Sequence, residues 1–371
     1  MADQYSPGDL VRRSFLRESD FFRISSPLFS AMTRASADDD DIVDLCLATR
    51  PGQSPGNLLM CVVQFLVMKS PGSRLAGFYP SMTATPRPLK DAFPAFREFC
   101  LDHYDEVSEL LSWRTVNTNL VEKTCSLLPS IQYVNRLSDE PLSLLEICCS
   151  SGLNMLFDEY HYDFGPAGQV GPEASPIRLS CRLVGDGRPP IDAMPFVAKR
   201  VGVDLVTIDV SDPTERLWME AVLGPEWEVE RQRLRIALAL RQKRDLRILK
   251  GDALAAIPSL LSELPGQVCI LQSYCIGHWS EAARNELESV LKAESRHRDI
   301  HRLSVEMPDT EPPETARRRL ARLAAAKIPI LQKSSPSRID HLWYSNGEMK
   351  TRLLGEGSIF GSWLDWNVPN A

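Results

Sequence analysis

The sequence predicts an α/β fold: a wound, mainly parallel sheet behind an N-terminal helical cap, closed by a C-terminal antiparallel hairpin. Three observations predict it. Apolar runs around residues 144–147, 196–204, 246–250 and 268–273 each end in small or polar residues and are spaced widely enough to hold intervening helices. The first 140 residues carry apolar positions at helical spacing instead. Near the other end, Asn346-Gly347 separates two apolar stretches and is the preferred chemistry of a two-residue hairpin turn.

In chain order, residues 59–68 form an apolar run suited to a buried helix. The span 93–111 places Phe93, Phe96, Phe99, Val107 and Leu110 on one helical face. Between these two segments, Pro86-Arg87-Pro88 reads as a connector, and Asp38 to Asp41 as a loop or helix start. Residues 1–140 are therefore assigned to a helical cap domain and 141–371 to the sheet domain. The Gly- and Pro-rich stretch 165–195, around the alternating run 177–183, fits an inserted hairpin.

The most informative segment is 144–154. An apolar strand ends at Glu146, and Cys148, Ser150 and Gly152 follow at two-residue spacing before Asn154. Small residues there let a ligand approach the backbone, and a following helix would offer it unpaired N–H groups. A strand-to-helix turn of any α/β protein has the same appearance. Three later strand ends point the same way. Asp204 closes the second strand, where a carboxylate meets ribose hydroxyls, with Asp209 and Asp212 as rivals; Asp212, just before Pro213, also suits a helix N-cap. Gly251-Asp252-Ala253 closes the third, and Ser273 and Tyr274 close the fourth at the crevice of an open sheet.

Glu146-x-Cys148-x-Ser150-x-Gly152 resembles the acid-x-Gly-x-Gly-x-Gly motif of Rossmann-like S-adenosylmethionine-dependent methyltransferases, with only the last glycine kept. That resemblance implies that Asp252 accepts from the adenine amino group. Over most of its length the chain is also similar to an uncharacterised bacterial family, domain of unknown function 2332. The matching runs include Phe78-Tyr79-Pro80-Ser81, Asp91-Ala92-Phe93-Pro94, residues 114–119, 145–154, 160–165 and 202–212, and Gly361-Ser362-Trp363. Leu120 stands where an acid commonly follows Thr-Asn in that family, and Phe360 where a histidine commonly precedes Gly361.

The implied ligand is S-adenosylmethionine, whose sulfonium suits an aromatic face. Tyr274, Tyr162 and Tyr160 are the nearest candidates for that face, each equally suited to packing. His278 is a candidate general base, or a surface or capping histidine. Arg114 and Asn119, with Asn117 between them, are candidates for the methionine carboxylate; an arginine that ties the domains together is the rival reading of Arg114.

A formal net charge of −7 argues against a polyanionic substrate, and the basic cluster of Arg317, Arg318, Arg319 and Arg322 fits a solvated helix face. The fourth strand also lacks the Asp/Asn-Pro-Pro-Tyr ending associated with nucleobase methylation. No apolar stretch is long enough to span a bilayer and the first residues lack a secretory pattern, so a cytoplasmic protein is expected. The nine cysteines show no Cys-x-x-Cys spacing and the six histidines are not combined with them in a metal-ligand pattern, so buried free thiols and no structural metal are expected. Methyl transfer to a small molecule is the leading expectation. Two alternatives stand beside it: cyclisation of the cofactor's own aminocarboxypropyl chain with release of methylthioadenosine, and a binding module without catalysis. The oligomeric state is not legible.

Overall fold

The computed structural model describes residues 5–308, 313–328 and 336–368. Its helices are α1 (Pro7–Ser25), α2 (Pro27–Ser36), α3 (Asp40–Leu45), α4 (Pro55–Lys69), α5 (Ala92–Asp102) and α6 (Tyr104–Trp113). They continue with α7 (Thr124–Asn135), α8 (Pro213–Ala221), α9 (Glu228–Arg241), α10 (Ala253–Glu263), α11 (Glu281–Glu294) and α12 (Pro313–Ala325). The strands are β1 (Leu142–Ile147), β2 (His161–Asp163), β3 (Gln169–Val170), β4 (Arg178–Ser180), β5 (Arg182–Val184) and β6 (Val197–Asp204). After them come β7 (Arg247–Lys250), β8 (Gln267–Ser273), β9 (Ile300–Glu306), β10 (Pro336–Ser345), β11 (Glu348–Ser358) and β12 (Trp363–Trp366).

The chain divides into two units: a helical one of Met1–Thr118 with Ser211–Arg235, and a sheet-bearing one of Asn119–Val210 with Ile236–Ala371. This differs from the expected boundary near residue 140 in two places. Residues 119–140 belong with the sheet, because α7 is apolar on nearly every side and packs on β8 and β9. Residues 211–235 return to the helices. Trp218 of α8 meets Phe65 edge-on at 5.7 Å, and the buried Gln64 amide donates to the carbonyls of Ala221 and Leu223 at 2.8 and 2.6 Å. The centre of the helical unit is α4, the expected buried helix, with every residue from Leu58 to Val67 buried. The expected helical face over 93–111 is broken at His103 into α5 and α6.

In the second unit a large mixed sheet runs in the order β5-β12-β11-β10-β9-β8-β1-β6-β7. From β7 through β9 all neighbours are parallel, whereas β10 to β12 form an antiparallel meander. β1 lies in the middle of the five parallel strands and all six of its residues are buried, which explains its largely apolar character. One face buries Leu145, Val201, Val268, Ile300 and Tyr344 against Ile257, Leu260, Leu287 and Leu291 from α10 and α11. The hairpin expected at Asn346-Gly347 joins β10 to β11, with both turn residues in left-handed conformations (φ 53° and 83°).

Three local expectations are corrected. The run 177–183 does not fold back as a hairpin: β4 pairs in parallel with β2 in a separate small sheet, and β5 pairs in parallel with β12. After β1 the chain enters a 3₁₀ segment, Leu153–Glu159, broken at Leu156, and not an α-helix. The basic cluster on α12 is only partly solvated, since Arg322 pairs with Asp365 at 2.8 Å and Arg319 is buried near Glu356.

Gly202 on β6 sits beside Glu146 of β1, and a Cβ there would lie 2.5 Å from Cys149 Sγ and 2.9 Å from Met155 Cε. Gly202→Ala is expected to lower stability by about 1–3 kcal/mol through overpacking. Combining it with Cys149→Ala should recover part of that loss in a denaturant double-mutant cycle; strictly additive losses would show that the two positions do not compete for space.

Candidate functional site

The strand sequence reverses direction at β1. The chain passes from β1 to β6 and β7 on one side, then returns to β8 and β9 on the other. The loops leaving the carboxyl ends of β1 and β8 therefore diverge, and open α/β sheets bind ligands at that point.

The loop after β1 is strained in a regular way. Cys148, Ser150 and Gly152 all adopt left-handed conformations, with φ of 55°, 50° and 78°. Each non-glycine residue in that region costs roughly 1–2 kcal/mol, so the surroundings must hold it. Asp204, at the end of neighbouring β6, does so by accepting from Ser150 N–H at 2.7 Å and from Val206 N–H at 2.9 Å. Asn119 adds a bond from Nδ2 to Ser150 Oγ at 2.8 Å. Packing explains why glycine persists at 152: a Cβ there would stand 2.7 Å from Leu246 and 3.1 Å from Ile248.

The loop after β8 repeats the arrangement. Tyr274 is also left-handed, with φ 55°, and Glu306 at the end of neighbouring β9 accepts from the N–H groups of Cys275 and Ile276, both at 3.1 Å. The Lys123 ammonium lies 4.8 Å above the centre of the Tyr274 ring, whose hydroxyl hydrogen-bonds Ser337 Oγ. Asn154 bridges the two loops, donating to Glu146 Oε1 at 2.7 Å and to Ser273 Oγ at 3.3 Å. The Cys148 thiol is in hydrogen-bonding reach of the Cys275 thiol.

This edge gathers buried charge. Glu146 is 2% exposed and its Oε2 has no partner. Burial pushes its carboxyl up to about 8, against the opposing pull of the Asn154 hydrogen bond and the Lys123 charge. Burial brings Lys123 down to about 8, opposed chiefly by Glu146. Desolvation likewise raises Asp204 and Glu306, and the backbone N–H bonds to each carboxylate oppose it. At neutral pH Glu146 holds its proton.

Of the residues proposed from sequence, the structure brings together Glu146, Cys148, Ser150, Gly152, Asn154, Asp204, Ser273, Tyr274 and Asn119. Others are occupied elsewhere. Tyr160 and Tyr162 are fully buried, and their hydroxyls donate to the carbonyls of Leu153 and Phe157 at 2.8 and 2.7 Å, so they fasten the 3₁₀ segment. Asp252 is exposed and caps α10 through Leu254 N–H at 2.9 Å, with Ala253 as the first helical residue; Asp212 caps α8 in the same way. His278 is exposed at the end of a short 3₁₀ turn, yet close enough to Glu306 for its charge to act on that carboxyl. Arg114 lies in the helical unit, where it binds Glu215 at 2.7 Å and stacks near Trp113 and Trp218. Without an α-helix after β1, the expected helix-terminal N–H array is also missing.

Sequence reading missed Lys123, Glu306 and Cys275. Glu306 was findable, as the acid that ends a further apolar strand. Lys123 carried no local signal, because nothing in its neighbours marks it for burial. Among the described residues no group of His, Cys, Asp and Glu is arranged to hold a metal ion, and no helix is long and apolar enough to cross a membrane.

Residues 12–366 match the model of a family described as "Uncharacterized protein conserved in bacteria (DUF2332)", and the chain belongs to that family. No curated protein matches it.

The Glu146 shift has a pH signature. Its folded pKa lies above its unfolded value, so its contribution to stability is present below about pH 4.5 and is lost as pH rises through about 8. Glu146→Gln cannot titrate and should escape that loss, roughly 4 kcal/mol across the window. Urea midpoints of the two proteins should therefore diverge between pH 5 and pH 8; parallel curves would refute the buried, proton-holding carboxyl.

Proposed function

We propose that the chain is an S-adenosylmethionine-dependent enzyme acting on a small molecule, with the cofactor at the carboxyl edge where β1 and β8 diverge. One observation supports this above the others: three left-handed residues at two-residue spacing follow the buried Glu146 and lead into a 3₁₀ segment. Left-handed turns let a nucleoside approach the backbone, and the lack of a helix dipole favours a nucleoside without phosphates over a dinucleotide. The parallel order β7-β6-β1-β8-β9, which reverses at β1, supports the reading because ligands of open α/β sheets bind at such a reversal.

The residues present fit such a ligand. The free oxygen of Glu146 is an acceptor for an amino or hydroxyl group. Lys123 supplies the buried cation that a carboxylate requires. Tyr274 already draws one cation to its ring face, the property a sulfonium needs. Asp204 accepts from the backbone N–H groups of Ser150, Val206 and Leu205, and a carboxylate's four lone-pair sites leave room for one ribose hydroxyl. When bound, S-adenosylmethionine supplies a carbon activated by the sulfonium leaving group. The protein's share is to orient the acceptor and to take its proton, for which Glu146, pushed up to about 8, serves in its ionised form while Lys123 stays charged.

Methyl transfer is the leading reading. A second, displacement within the cofactor by its own amino group, is favoured by that same buried pair, because a proton acceptor is in place with no second substrate required.

Calorimetric titration with S-adenosylmethionine is expected to show micromolar binding, weakened in Tyr274→Ala more than titration with S-adenosylhomocysteine, which lacks the sulfonium charge. Absence of binding rejects both readings. In incubations analysed by mass spectrometry, methylthioadenosine formed from S-adenosylmethionine alone selects self-displacement, and S-adenosylhomocysteine formed only with an added acceptor selects methyl transfer. Binding with neither product across an acceptor panel would leave a non-catalytic module.

A further inference from the structure

At the opposite edge of the same sheet, where β8 and β9 begin, lies a cavity of about 1040 Å³. Strand register builds it. His301 of β9 stands opposite Trp343 of β10, which stands opposite Lys350 of β11; one step along, His341 stands opposite Arg352. Because side chains alternate along a strand, these five share one face with Gln267 of β8, while Ile300, Leu342, Tyr344 and Met349 point into the apolar core on the other. Tyr133 of α7 forms a wall, edge-on to His341 at 5.4 Å.

The platform is aromatic and flat. The His301 ring stacks on His341 and on Trp343 with interplanar angles of 21° and 15°, and Lys350 Nζ lies 5.3 Å from the indole centre. Its floor is polar and buried. His301 Nδ1 and His341 Nε2 are 3.0 Å apart, and the Gln267 amide reaches His301 Nε2 at 3.4 Å. Gln267 is only 7% exposed, and its Oε1 has no partner. An orphaned amide atom on the floor of a cavity is what a ligand hydroxyl would satisfy, as donor or acceptor, whichever way the amide is turned.

Charge at the rim decides the ligand's sign. Burial holds His301 and His341 down at about 4 and about 3, so both are neutral at pH 7. The Arg298 guanidinium is spent on the carbonyls of Leu261, Leu264 and Gly266, and Asp299 accepts from Trp343 Nε1 at 3.3 Å. Of the other charged groups lining the cavity, Lys350 and Arg352 are exposed cations, Glu140 is an exposed acid and His297 is solvent-facing. Arg352 gives one bond to Tyr133 Oη at 3.0 Å and keeps its other donors.

We propose that this cavity is a binding site for a planar aromatic acid bearing a ring hydroxyl: ring against Trp343 and Tyr133, acid group at Lys350 and Arg352, hydroxyl at Gln267. The site stands apart from the carboxyl edge and does not depend on the function assigned there.

The test titrates the full chain with 4-hydroxybenzoate, followed by ligand-observed NMR. Saturable binding with Kd of about 1 mM or tighter is expected, with cyclohexanecarboxylate and phenol each about tenfold weaker. The variant Lys350→Ala/Arg352→Ala, altered at exposed positions and checked for an unchanged melting midpoint, should also lose about tenfold. Gln267→Leu should bind 4-hydroxybenzoate and benzoate alike. No saturation by about 10 mM, equal binding of cyclohexanecarboxylate, or undiminished affinity in the double variant overturns the assignment.

Discussion

Carboxylates buried at the ends of strands hold the carboxyl edge of this sheet in shape. Asp204 at the end of β6 grips the loop after β1 by accepting from Ser150 N–H, and Glu306 at the end of β9 grips the loop after β8 by accepting from the N–H groups of Cys275 and Ile276. Between them Glu146 is tied to Asn154 and through it to Ser273. The left-handed conformations of Cys148, Ser150 and Tyr274 depend on these bonds, since unfastened L-residues relax to negative φ. Any ligand at this edge meets a surface set in advance by the protein's own acids, which removes part of the ordering cost of binding.

The same arrangement explains the titration behaviour. Four acidic or basic groups, Glu146, Asp204, Glu306 and Lys123, share one poorly solvated edge, and each is displaced toward its neutral form by burial. Perturbed groups gathered in this way are common where chemistry occurs. At the amino edge, by contrast, burial is used to keep two histidines neutral, so positive charge is left to the rim. One sheet thus presents an edge of buried charged groups and an aromatic edge, at opposite ends of β8 and β9.

How far the site was legible in sequence depends on the residue. Glu146, Cys148, Ser150 and Gly152 were found because a two-residue spacing after an apolar strand is a local pattern. Tyr160 and Tyr162 were misread because proximity in sequence says nothing about where a hydroxyl points, and theirs donate to backbone carbonyls nearby. Asp252 has the position of a ligand-binding acid but also that of an N-cap, and its side chain does the latter. Arg114 was proposed for a carboxylate and does bind one, that of Glu215 within its own unit.

By itself the sequence determined the α/β class, the parallel strands, the buried α4, the Asn346-Gly347 turn and membership of the DUF2332 family, all of which follow from short-range periodicity, turn chemistry and runs of identity. Only the tertiary structure decided that residues 211–235 rejoin the N-terminal helices, that β4 and β5 part into different sheets, and that Lys123 is buried over Tyr274. It alone assembled His301, His341, Trp343, Lys350 and Arg352 from three strands into one face. Those outcomes rest on burial and on strand register between segments far apart in the chain, and no local pattern records either.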